Sequence, residues 1–445
     1  MSGQQKKVLL ILTGIGLVYF IAFFFPNATG AEDETMLFRL SADESVTYPV
    51  VMRMLTPDPH GVETGWFRWI IYGDYHYGYP FYLISALVLL PLRILLGASF
   101  IDYTQLNLLL LRQFVSVLPL ILAAGIMVYL QTRFRSAVLS VLLFVFMLAV
   151  PGFVRNHLSW WHPDAFSVLF VVLVIFFLDR DRLRFGWNFY LAALACGLAS
   201  AIKLSGIFFF LTVPAYILAG LILKKINLRA AFTHGILFVL VMGLTIILSN
   251  PFLFYSGARQ RMLEIQVQKS YEISHGYVHE ESPEYAKGPR YWEPTLSRWY
   301  GIPLFLLFIA ASLLWGAIHG QEQFVNRILL TWFLPFTLYL LFFVSVKPDH
   351  YWLPVMLPLF SCVFIIPAEI WTFLQKQGTQ NPSDLTRWLG LGLFACLVLG
   401  LSILFITNLG YDLSLFQSFL EQEKELGFHW LMEIWVMAAG KSILI

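Results

Sequence analysis

Few side chains in this sequence can do chemistry, and they fall into short groups. The first is Asp43-Glu44, set between Ser41-Ala42 and Ser45-Val46-Thr47-Tyr48. Adjacent carboxylates can take a proton from an attacking hydroxyl. The second is Gly73-Asp74-Tyr75-His76-Tyr77-Gly78-Tyr79-Pro80, where aromatic faces and polar tips suit a sugar ring and its hydroxyls. The third, Arg155-Asn156-His157-Leu158-Ser159-Trp160-Trp161-His162-Pro163-Asp164, is dense in histidine, tryptophan and charge for a connector. Lys203 interrupts an apolar stretch from Leu191 to Tyr216, and Lys347-Pro348-Asp349-His350 stands before another. An ionisable residue inside such a stretch is costly and marks function.

Each group also has a plain structural reading. Asp43-Glu44 suits the first turn of a surface helix, where the helix dipole favours acids. The tyrosines suit an interfacial aromatic belt. Asp164, after a proline, suits a helix start. Lysines at span ends snorkel to water. The local patterns leave both readings open.

The elements that must position these residues are set by composition. Of 445 residues, 58% are hydrophobic, 17% aromatic and 13% charged, with net charge +2. A soluble domain carries roughly 45–50% apolar and about 25% charged residues. That contrast excludes a soluble enzyme, a disordered chain and a nucleic-acid binder. Cys196, Cys362 and Cys396 all lie in apolar runs and make neither a disulfide frame nor a zinc site. The fold class is an all-α polytopic membrane protein.

Apolar runs long enough to span a bilayer as helices fall near 8–25, 107–131, 136–152, 165–178, 187–202, 206–223, 231–249, 299–318, 328–346, 351–372 and 387–407. The first reads as an uncleaved anchor. Basic residues collect in cytoplasmic loops. Lys6-Lys7, Arg133/Arg135, Arg180/Arg182/Arg184, Lys224/Lys225/Arg229, Arg327, Lys376 and Arg387 all fall inside if the run 79–98 does not cross. That segment is therefore expected to be re-entrant or to lie at the interface. The count is then about 11–12 helices, with juxtamembrane helices in the first outer loop. Residues 1–407 form the transmembrane module, with outer loops 26–78, 153–164 and 250–298, and 408–445 form a short outer tail. The same parity places Asp43, Glu44, His76, His157, His162, Asp164, Lys203, Lys347 and His350 on one outward face. Basic groups at the lip of a bilayer can hold a phosphate whose lipid tail stays in the membrane. Loop 250–298 is expected to be a lid or acceptor platform.

These groups, in this order, resemble the GT-C glycosyltransferases that use polyprenyl-phosphate sugars. The likeness is above all to protein O-mannosyltransferases and the lipid A aminoarabinose transferase. It rests on Asp43-Glu44 after an N-terminal span, His76-Tyr77-Gly78-Tyr79-Pro80 leading into an apolar helix, Asp164 after Pro163, Lys203 in Gly197–Gly206, and Lys347 to Pro354 opening a late span. The resemblance implies a GT-C-like bundle and transfer of a sugar, mannose or another hexose or pentose, from a polyprenyl phosphate. The acceptor is a hydroxyl on a glycan, lipid or protein, and the configuration is inverted. It makes Asp43 the base, with Glu44 and Asp164 as its catalytic partners. His76 and Tyr77 would contact the sugar. Lys203 would meet the phosphate, helped by Lys347, His350 or Arg155, with His162 also in the substrate site. No cofactor is required. A divalent cation is compatible, but no ligand spacing demands one. The expected setting is a bacterial plasma membrane rather than the endoplasmic reticulum, with the site facing outward. The alternative is a multi-span secondary transporter, against which the acids avoid span centres and no inverted repeat is evident.

Overall fold

A computed structural model describes residues 2–58, 60, 61, 63–204, 211–277, 285–377 and 384–441, side chains at 34, 42, 377, 384–386 and 426–441 excepted. The described residues form helices and connecting turns, without strands. Helix α1 (Gly3–Ala22) opens on a capping box between Ser2 and Gln5, which satisfies two orphan donors of its first turn. After Glu34–Leu40 comes α2 (Ala42–Leu55), which carries Asp43 and Glu44 in its first turn. Next come α3 (Tyr79–Leu96), α4 (Thr104–Leu111), a π-helical turn Arg112–Val117, α5 (Leu118–Thr132) and α6 (Ala137–Leu148). The interior helices are α7 (Pro163–Asp181) and α8 (Trp187–Ile202), flanked by α9 (Thr212–Ile222) and α10 (Leu228–Leu248). Two polar helices follow, α11 (Ser256–His275) and α12 (Pro289–Trp299). The chain ends with α13 (Pro303–Ile318), α14 (Gln323–Phe343), α15 (Leu353–Phe360), α16 (Ile365–Gln377) and α17 (Asp384–Lys441).

Among the described residues, seven helices are long and apolar enough to cross a membrane, eight if the bent pair α12–α13 is one span. The runs read as spans at 136–152, 187–202 and 206–223 are shorter apolar helices, and part of the last lies outside the described residues. Helix α7 buries nearly its whole length yet carries Asp164, Asp179 and Asp181. Its neighbours supply the apolar environment that lipid supplies to an outer helix. Small residues let them come close: a Cβ on Gly197 of α8 would lie 2.6 Å from the Cβ of Thr245 on α10.

Helix α7 also sets the axis of the molecule. Asp164 and Asp179 lie at its two ends, about 22 Å apart at 1.5 Å per residue. At the Asp179 end, Arg133 makes a bidentate pair with Asp179 (2.7 and 2.8 Å) and reaches Glu322 (2.9 Å). Arg182 and Arg135 join the same carboxylates at 3.0 Å. Gln4 and Gln5 of α1 donate to the carbonyls of Arg135 and Arg133 there. The basic clusters near Lys6-Lys7, Arg133 and Arg180 thus share one end, and the Asp164 groups gather at the other.

Helix α3, expected to be re-entrant or interfacial, is one of the seven helices long and apolar enough to cross, and Arg93 near its end donates to the carbonyl of Leu55, the last residue of α2 (3.1 Å). The chain then returns through α4 to Arg112, which bonds Glu44. Residues 408–441, expected as an outer tail, continue α17 without a break. At 58 residues that helix is about 87 Å long against a hydrocarbon core of about 30 Å.

Candidate functional site

The site is assembled by three attachments. The first is at Gly78. Its N–H donates to the carbonyl of Ile202 (3.0 Å) at the end of α8, and a Cβ here would sit 1.5 Å from the carbonyl oxygen of Ala201. Only glycine permits that approach, and it brings Tyr77 beside Lys203. The second is Asn250, whose Oδ1 accepts from the Tyr79 N–H (3.0 Å). The third is Glu44, which is fully buried. It takes Arg112 on both oxygens (2.9 and 2.5 Å) and the Trp161 N–H (2.5 Å). Arg112 in turn donates to the carbonyls of Asn27 and Thr29 (2.8 and 2.9 Å). Glu44 therefore clamps the start of α2 to the segment leading into α7. Its neighbour Asp43 is left exposed toward the site.

A chain of polar contacts runs through the site. Tyr77 Oη lies 2.7 Å from His162 Nε2. His162 Nδ1 lies 2.6 Å from Asp164 Oδ2. Lys203 Nζ pairs with the other oxygen, Oδ1. His350 Nε2 stands 3.9 Å from Oδ2. Trp160 stacks on His162 at 4.4 Å, and the Arg155 guanidinium lies over Trp160 at 5.2 Å. The Asp43 carboxylate lies near enough for its charge to bear on Tyr77 and His162. Burial pushes the His162 ring below its ordinary range despite the Asp164 carboxylate beside it, so the ring is neutral at pH 7. His76 pairs with Asp74, which Tyr82 also bonds. Burial alone would raise the Asp74 carboxyl, but these partners hold it below its usual value.

The structure thus brings together Asp43, Tyr77, His162, Asp164, Lys203 and His350, with His76 and Arg155 at the edges. Two expected site residues stand apart. Glu44 faces away into its clamp. Lys347 is held by the carbonyls of Val344 and Ser345 and by the Trp292 ring at 5.1 Å. Among the described residues, no hydrogen bond or ion pair joins it to Asp164. Asn27, in the formal glycosylation sequence Asn27-Ala28-Thr29, is buried and accepts from the Ser159 N–H (2.7 Å). It offers no acceptor on the folded surface.

One basic residue beside the site was not anticipated. Loop 250–298 contains α11, which lies across the site. Gln266 donates to the carbonyl of Tyr75 (2.8 Å), and Lys269 places its ammonium 4.5 Å from the Tyr77 ring centre. Burial, and secondarily the nearby charge of Lys203, bring Lys269 down to about 8. Residues 278–284 of this loop, with His279, Glu280 and Glu281, lie outside the described residues.

His162, Asp164 and His350 offer ligand atoms within 4.8 Å of one another, a spacing a metal ion could use. Lys203 already supplies a positive charge to that carboxylate. The arrangement as it stands presents two ammonium groups, Lys203 and Lys269, beside an accessible carboxylate, Asp43, under an aromatic wall. It can hold an anion and accept a proton next to it.

No family model and no curated protein matches this sequence. Solved structures do resemble it. The oligosaccharyltransferase AglB from Archaeoglobus fulgidus, in complex with an inhibitory peptide and a dolichol-phosphate, superposes with a TM-score of 0.54 at 11% identity. The match covers 92% of this chain and 55% of that one, so the chain spans about half the length of that enzyme. The Archaeoglobus fulgidus oligosaccharyltransferase in its apo form matches at 0.49 and 14%, over 92% of this chain and 56% of that one. ArnT from Cupriavidus metallidurans, apo, matches at 0.45 and 14%, over 92% and 75%. On the first of these likenesses and the helical architecture, this chain is a multi-pass integral membrane protein with a GT-C-like fold.

Proposed function

We propose that this protein is a glycosyltransferase that moves a sugar from a polyprenyl-phosphate donor to an acceptor hydroxyl at the Asp164 end of the bundle. The observation that supports this reading is that Lys203, paired with Asp164, and Lys269, over the Tyr77 ring, both stand within electrostatic range of the exposed Asp43. Two cations suit a lipid phosphate, and an exposed carboxylate suits proton removal. The dolichol-phosphate bound to AglB supports the donor class by analogy of fold.

In this mechanism the donor phosphate meets Lys203 and Lys269, with Arg155 nearby. The Asp43 carboxylate takes the proton of the acceptor hydroxyl. The acceptor oxygen bonds to the anomeric carbon from the face opposite the phosphate. The bond from that carbon to the phosphate oxygen breaks, and the lipid phosphate leaves with the electron pair. One displacement inverts the configuration, by the logic of inverting glycosidases with the acceptor in place of water. Phosphate is a good leaving group, so charge stabilisation by the lysines is the larger need. Glu44 acts through its clamp, by positioning Asp43. Asp164 orients Lys203, and Tyr77 with His76 faces the sugar. The proposed setting is a bacterial plasma membrane, with the site outward.

The test is incubation of the purified chain with a panel of prenyl-phosphate sugars and acceptors, followed by mass spectrometry of the released lipid phosphate. The wild-type protein should release lipid phosphate and glycosylated acceptor in equal amounts. Asp43→Asn should lose about 10²–10⁴-fold in rate with unchanged thermal stability. Full activity in that variant would sink the base assignment. Ion-driven uptake into vesicles without transfer would favour the transporter.

A further inference from the structure

At the end of the bundle opposite Asp164 lies a large cavity, about 810 Å³, between α6, α16 and α17. Its walls are apolar over most of their extent. Leu139, Leu142 and Phe146 of α6 face Val398, Leu401 and Phe405 of α17. Its polar lining comes from different elements. Arg135 sits in the turn before α6, Glu322 just before α14, and Glu369 on α16.

The charges here are not all spent on one another. Arg135 pairs with Glu322 at 3.0 Å but keeps a side chain 60% exposed. The Glu369 side chain forms no hydrogen bond or ion pair among the described residues, although it stands on a helix within the bilayer range. A carboxylate in such a place seeks a cationic partner. A cavity with long apolar walls, a guanidinium and an unmatched carboxylate has the chemistry of an amphiphile whose head carries both charges.

We propose that this cavity binds a glycerophospholipid with a primary-ammonium head, phosphatidylethanolamine in kind. Its acyl chains lie between α6 and α17, its phosphate meets Arg135 and its ammonium meets Glu369. A quaternary ammonium head cannot donate hydrogen bonds to the carboxylate, and a glycerol head brings no cation. The site is remote from the Asp164 cluster and does not depend on the transfer reaction.

The full chain is reconstituted in discs of equimolar phosphatidylethanolamine, phosphatidylcholine and phosphatidylglycerol. It is then stripped in detergent, and the retained lipid is read by native mass spectrometry. The wild-type protein should keep phosphatidylethanolamine over each of the others by on the order of fivefold, the ratio one near-surface ion pair supplies. Glu369→Gln should bring its ratio to phosphatidylcholine close to one. Leu142→Trp, or Val398→Trp if the first variant fails to fold, should fill the cavity and lower retention of every lipid. Equal retention of all three lipids by the wild-type protein overturns the proposal. So does a dominant phosphatidylglycerol signal, or a head preference unchanged in Glu369→Gln.

Discussion

Lys269 links the site to a pH dependence that can be worked through. The perturbation is a change of pH from 7 to 9 in the wild-type protein and in Lys269→Arg and Lys269→Met. With its ammonium brought down to about 8, Lys269 is about 90% charged at pH 7 and about 10% charged at pH 9. Only the charged form attracts the donor phosphate. kcat/KM, which reports the free enzyme, should therefore fall on the order of tenfold across this range. Bound phosphate favours the ammonium, so kcat at saturating donor should fall less and at higher pH. Arginine stays charged throughout, so Lys269→Arg should flatten the limb. Lys269→Met should lose about 10–150-fold at pH 7, the range of a charge-assisted hydrogen bond of about 1.5–3 kcal/mol. The assay is initial-rate release of lipid phosphate at each pH. A wild-type limb that persists unchanged in Lys269→Arg would refute the assignment and move the titration to another group.

Three further outcomes follow from the geometry. Arg112→Leu leaves the buried Glu44 unpaired and should destabilise the fold by about 3–5 kcal/mol, read as a lowered thermal midpoint in detergent. Gly78→Ala places a Cβ against the carbonyl of Ala201, so it should both lower the midpoint and cost activity, whereas Gly243→Ala, within helix α10 and in open space, should retain activity. Because Lys203 already balances Asp164, chelation with EDTA should leave the transfer rate unchanged. A loss restored by Mn²⁺ would show that His162, Asp164 and His350 act as ligands.

The grouping of the site was legible from charge. Lys6-Lys7, Arg133/Arg135 and Arg180/Arg182 set the alternation of loops, and that alternation put Asp43, Asp164 and Lys203 on one face. Helical architecture was legible from apolar content alone. What was hidden lies in tertiary pairing. Arg112 sits in an apolar run with no nearby acid, and its partner Glu44 is 68 residues away. Nothing local distinguishes Glu44 from Asp43, yet one is clamped and the other exposed. Lys269 lies on a polar helix with a weak pattern, and only the docking of α11 on Tyr75–Tyr77 reveals its place. Apolar runs outnumber the long helices because α6, α8 and α9 are apolar over fewer residues, and hydropathy along a sequence does not report where a helix ends.

The neighbouring lysines at positions 203 and 269 have a consequence for turnover. In the proposed reaction the sugar-bearing carrier is a phosphodiester with one negative charge, whereas the emptied carrier is a monoester whose second proton leaves near pH 6. Two ammonium groups attract a dianion more than a monoanion. The spent carrier should therefore cling where the loaded one arrived, competing with fresh donor, so that its departure rather than bond making paces the cycle.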